Sequence, residues 1–126
     1  MNDKEINITN IQIIATYFFI FSLIISLLLT YNDKFKTLNR KTIFSDKQTY
    51  NISVFNRILI VGLSLTFLYT NSKNREIARD KGENVNPFNL QIMASELSLL
   101  AAIIVTYVVI TSGQYSIISS VENPNL

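Results

Sequence analysis

The stretch IQIIATYFFIFSLIISLLLTY, residues 11–31, decides the fold class. It carries no charge, and at about 1.5 Å per residue a helix of this length rises roughly 31 Å, enough to cross a hydrocarbon core about 30 Å thick. Its polar residues Gln12, Thr16, Ser22, Ser26 and Thr30 fall within about one third of the helical circumference at 100° per residue, leaving a face of Phe, Ile and Leu. The polar side is expected to meet protein and the apolar side lipid.

Two further runs, 52–70 and 90–112, hold most of the remaining apolar residues, and nearly every charge lies between the runs. That segregation, with 48% hydrophobic residues and a mean hydropathy of +0.28, is the pattern of a membrane protein rather than of one soluble core. The uncharged part of the second run, 58–70, is short. Spanning therefore draws in Asn56 and Arg57, with the Arg57 side chain reaching back to the headgroups. No breaker follows until Gly82, so the second helix continues toward 81 with Gly82 as its cap. Asn86-Pro87 reads as an N-cap and first-turn proline for the third helix, which runs toward Gly113.

The expectation is an all-α integral membrane protein, a single membrane domain of three transmembrane helices in an antiparallel bundle. Its elements are a helix over 10–31, a loop over 32–50, a helix over 51–71 with an extension to 81, a loop over 82–86, a helix over 87–112 and a tail over 113–126. The first run is about twice the length of a signal-peptide core, and its flank Asn2-Asp3-Lys4-Glu5 is mixed in charge, so it reads as an uncleaved first helix. Lys34, Lys36, Arg40, Lys41 and Lys47 face Lys4, Lys73, Arg75, Arg79 and Lys81 across the membrane. Adding Arg57 to the first group tips the positive-inside rule toward a cytoplasmic first loop and carboxyl end.

The chain has no cysteine and no histidine, which removes disulfides, thiolate nucleophiles, imidazole bases and the usual zinc, haem and copper ligands. No glycine-rich phosphate loop, paired-carboxylate motif or nucleophile-base arrangement occurs, so no catalytic residue and no cofactor is expected. The net charge is +2 with basic and acidic residues interleaved, which argues against nucleic acid as a partner. The sequons at Asn7 and Asn51 read as chance matches in an asparagine-rich chain, and Asn51 abuts its helix.

Glu96 stands out because it lies inside the third run, where an ionised carboxylate is costly unless paired, hydrated or protonated. On a helical wheel Asn89, Glu96, Tyr107 and Gln114 share one side, with Leu100 and Ile103 between them. This stripe with Arg57 makes a candidate intramembrane polar site for a proton or ion. The competing reading places Glu96, a few turns from the helix start, in the wet interface or against a neighbouring helix. Ala94, Ser98 and Ala102, at the four-residue spacing that lets helix backbones approach closely, mark a packing seam, and Gly62 would serve similarly in the second helix.

The stretch Asn86-Pro87-Phe88-Asn89-Leu90-Gln91-Ile92-Met93-Ala94-Ser95, with Tyr107-Val108-Val109 and the ending Glu122-Asn123-Pro124-Asn125-Leu126, resembles small uncharacterised multi-pass membrane proteins of large DNA viruses of protists. The likeness covers mainly the C-terminal third and brings no functional residues with it. It implies a virally encoded protein of the virion's internal membrane or of host membranes during assembly. The resulting expectation is a non-enzymatic structural or scaffold membrane protein whose partners are the bilayer, further copies of itself or other membrane proteins. The alternative is an oligomeric pore or small transporter component that uses Glu96.

Overall fold

The computed structural model describes residues 2–112 and consists of three helices, α1 (Asp3–Thr37), α2 (Asp46–Asp80) and α3 (Asn86–Ser112). All three are long and apolar enough to cross a membrane. Gln114, the expected helix end at Gly113 and the tail over 113–126 lie outside the described residues.

Helix α1 overruns 10–31 at both ends, and α2 starts at Asp46 rather than at 51 while taking up the extension toward 81, so the first loop shrinks from 32–50 to 38–45. Capping explains the earlier starts. The Asn2 side chain accepts from the Glu5 N–H (2.9 Å) and begins α1. Ser45 and Gln48 form a reciprocal capping box that begins α2: the Gln48 N–H donates to Ser45 Oγ (3.2 Å) and the Ser45 N–H to Gln48 Oε1 (3.0 Å).

Both of these helices end in the same six-residue closure. After α1, Asn39 adopts φ 56°, with the Arg40 N–H donating to Phe35 O (2.9 Å) and the Asn39 N–H to Lys36 O (3.1 Å). After α2, Gly82 adopts φ 73° and repeats the pattern through Glu83 to Ala78 (2.9 Å) and Gly82 to Arg79 (3.0 Å). At α3 the Asn89 N–H donates to Val85 O (3.0 Å), so Val85 takes the cap position and Pro87 the second helical position, one residue from expectation.

The helices run antiparallel in chain order, with α2 in the middle: α1 and α3 each pack along α2 and scarcely touch one another. The arrangement is thus more open than a closed three-helix bundle. On α1 the buried positions Ile8, Ala15, Ser22 and Leu29 recur every seven residues, joined by Ile25 and Asn32, three residues after Ser22 and Leu29, and by Ser26. On α3 they are Ile92, Ala102, Val105 and Val109, and Val54 of α2 packs on the last pair. This three-and-four spacing is the seam of a left-handed antiparallel pair.

Hydrogen bonds between helices fix their relative heights. Asn32 of α1 meets Thr49 of α2 (3.1 Å), and the Tyr50 hydroxyl donates to Ile110 O of α3 (3.1 Å), so Tyr31, Tyr50 and Ile110 share one level. At the other end Asn71 Nδ2 donates to Ser95 Oγ (2.7 Å), and Lys4 pairs with Glu76 (3.0 Å), which puts residues 10 and 11 of α1 near Thr70 and Ser95. Between these levels α1 contributes 11–31, roughly 31 Å of helix, matching the thickness of a hydrocarbon core. Tyr31 and Tyr50 mark one edge and Tyr69 the other, the place tyrosines favour at a membrane interface.

Candidate functional site: a buried polar seam

The best-formed polar site joins α1 to α2 within the apolar zone. Ser22 Oγ donates to Asn56 Oδ1 at 2.7 Å, and Asn56 Nδ2 donates to Ser26 Oγ at 3.0 Å. Ser26 Oγ in turn donates to the Ser22 carbonyl (3.0 Å), and Thr30 Oγ1 to the Ser26 carbonyl (2.9 Å). Ser22 and Asn56 are fully enclosed, at 1% and 0% exposure. One asparagine amide thus uses both its donor and its acceptor across the interface, satisfying polar groups that hydrocarbon cannot.

Nearer the first loop a second asparagine does similar work. Buried Asn32 donates through Nδ2 to Thr49 Oγ1 and accepts at Oδ1 from the Phe44 N–H (2.8 Å), so it ties α1 to both α2 and the returning loop. Ser53 and Arg57, one helical turn apart on α2, complete the buried polar group. Ser53 Oγ has no hydrogen-bond partner among the described residues. Arg57 is 2% exposed and enclosed among the helices, which corrects the expectation that it reaches the headgroups along the surface. The hydroxyls of Ser22 and Ser26 donate to an amide oxygen and a backbone carbonyl. The seam therefore has what is needed to hold α1 and α2 together.

The stripe expected to carry chemistry on α3 lies outside this seam. Asn89, Glu96, Leu100, Ile103 and Tyr107 are all exposed, and of these Asn89 alone is held to α2 by a side-chain hydrogen bond among the described residues, accepting from Arg75. Glu96 adjoins Ser95, which bonds Asn71, so it stands level with the end of the apolar run on α2 and with Asn10 on α1. This is the edge of the apolar zone, not its middle. Arg57 lies farther along α2, some 13 residues or roughly 20 Å of helix from the level of Thr70 and Asn71. Glu96 and Arg57 therefore stand toward opposite ends of the apolar zone, as antiparallel helices require, and do not meet in one polar site.

The expected small-residue seam is likewise only partly used within the chain. Ala102 is buried, whereas Ala94 and Ser98 are exposed and line an open trough of about 510 Å³ with Leu63, Phe67 and Phe19. Gly62 is exposed, with nothing within 4 Å of where a Cβ would stand, so it marks no close approach of helices. On α1, Ser22 and Ser26 do face α2, Thr30 and Gln12 are half-buried, and Thr16 is exposed with its hydroxyl returned to the Gln12 carbonyl (2.7 Å).

Outside the apolar zone the α1 and α2 extensions are clamped by charge. Lys4 and Lys73 share Glu76 (3.0 and 3.4 Å), Lys81 pairs with Glu5, and Arg75 donates to Asn89 Oδ1 (3.1 Å). The hydrogen bond from Lys81 holds the Glu5 carboxyl below its ordinary range and raises Lys81 in return, and the bond from Lys4 lowers Glu76. Among the described residues no three Asp or Glu side chains gather to hold a metal ion.

Fold and seam together define a helical protein with three helices long and apolar enough to cross a membrane, joined by polar contacts inside the apolar zone. No family model, no curated protein and no solved structure matches the chain.

Proposed function

We propose that the protein is a non-enzymatic scaffold of a membrane, a rigid helical unit on which further copies or other membrane proteins assemble. The observation that carries this reading is the Ser22–Asn56–Ser26 bridge, which commits the polar groups of the apolar zone to holding α1 to α2. Only 28%, 22% and 22% of the three apolar windows is buried within the chain, so most of each helix faces outward to lipid or partners. The resemblance of the C-terminal third extends the proposal to a virally encoded protein of the virion's internal membrane or of host membranes during assembly.

A second reading has one observation in its favour: Glu96 is exposed on the outer face of α3, where several copies would turn it toward a shared lumen. Its height places it at the mouth of such a pore. The two readings separate in vesicles holding the full chain, by ion flux for the native protein beside Glu96→Gln. A well-inserted protein with no flux in either form is the scaffold result, and flux altered by the substitution is the pore result.

A further inference from the structure

The two polar ends of the molecule differ in a way that counting basic residues hides. The end formed by 2–10 and 71–89 carries five basic and five acidic residues, a net charge of zero, and ties Lys4, Lys73 and Lys81 to Glu76 and Glu5. The segment 32–49 at the other end carries five basic residues against two acids, a net +3, or +2 when Glu122 of the tail over 113–126 is counted with it. There Lys36 meets Asp46 (3.1 Å), while Lys34, Arg40, Lys41 and Lys47 are exposed and form no ion pair with any described residue.

The same end is also apolar at its surface. Tyr31, Phe35 and Leu38 follow one another at helical spacing and continue the outward side of α1 past the edge of the apolar zone, with Tyr31 47% and Leu38 49% exposed. Ile43, in the loop, is 46% exposed. The loop that bears these residues is held in place, since buried Asn32 fixes Phe44 and the Asn39 turn closes α1. Cations interleaved with exposed apolar groups, just beyond the hydrocarbon edge, match a layer that is anionic at the surface and apolar beneath.

We propose that this end, centred on the loop 38–45, is a docking surface for anionic phospholipid headgroups. Lys34, Arg40, Lys41 and Lys47 take the headgroup charge, while Leu38 and Ile43 enter the upper edge of the acyl layer. Each basic residue near an anionic surface contributes roughly a fivefold preference, and the attraction fades within a Debye length. The opposite end, with its charges balanced, has no such preference. The proposal rests on the membrane-spanning reading and adds to it a choice of leaflet.

The chain contains no tryptophan, so Ile43→Trp in the full chain supplies a single reporter. The variant is reconstituted into vesicles of phosphatidylcholine alone or with phosphatidylserine, and insertion is checked by resistance to alkaline extraction. With the anionic lipid, its emission is expected to shift to shorter wavelength and to be quenched by brominated acyl chains. The response should weaken at high salt and in the combined Lys34→Gln, Arg40→Gln, Lys41→Gln and Lys47→Gln variant, with helicity checked separately. Emission that is the same in both lipids overturns the proposal while leaving the membrane reading intact. Failure to insert overturns both.

Discussion

Replacing Asn56 with alanine removes both hydrogen bonds of the α1–α2 bridge at a position with no exposure. Inter-helix hydrogen bonds in membranes contribute on average about 0.6 kcal/mol and at most about 1.7, so two of them set a loss of roughly 1–3 kcal/mol before any cavity term. The fallback open to the serines favours the lower half of that range. Ser26 already donates to the Ser22 carbonyl and loses only an incoming donor, whereas Ser22 loses its acceptor. A double-mutant cycle of Ser22→Ala and Asn56→Ala, read by reversible unfolding in mixed micelles, isolates the coupling, expected near about 0.6 kcal/mol or above. Strict additivity together with an unchanged stability for Asn56→Ala would refute the claim that the bridge holds the two helices.

Other substitutions probe neighbouring features. Gly62→Ala should raise stability by about 0.5–1 kcal/mol, since a Cβ there meets nothing and the helix interior gains a better former; unfolding of the variant measures it. Gly82→Ala should lower it by about 1 kcal/mol, because φ 73° is disfavoured for any residue with a Cβ. Glu96→Leu, on an exposed face, should leave stability of the isolated chain within about 0.5 kcal/mol, as judged in the same assay. The lowered Glu5 and Glu76 carboxyls make the clamp between the α1 and α2 extensions fully present above their ordinary value of 4.5 and lost as pH falls through their folded values. Amide exchange across 3–10 should accelerate there, and a flat profile would speak against the ion pairs.

The three helices were legible because each apolar run is long enough to span, which is a property of composition and length alone. Their ends were less so, because residues 3–10, 46–50 and 71–80 are polar in sequence and helical through caps and cross-helix pairs. Asn2 with Glu5 and Ser45 with Gln48 were local signals of two of those starts. The serine side of α1 was readable as a contact face, but its partner was hidden. Asn56 looked like part of a marginal span, and Asn32 and Thr49 lay in a stretch that read as loop. Glu96 drew attention as a charge in an apolar run, yet α3 is apolar almost all round, so its wheel does not reveal which side meets α2.

That the chain crosses the membrane three times is tested most directly by single cysteines in a protein that has none of its own. Lys47→Cys, Asn84→Cys and Ile24→Cys, one at a time in sealed membranes, are exposed to a membrane-impermeant maleimide from each side. Positions 47 and 84, both exposed at polar ends, should react from opposite sides, and position 24 from neither. Reaction of 47 and 84 from the same side, or ready reaction of 24, would contradict the three-span topology.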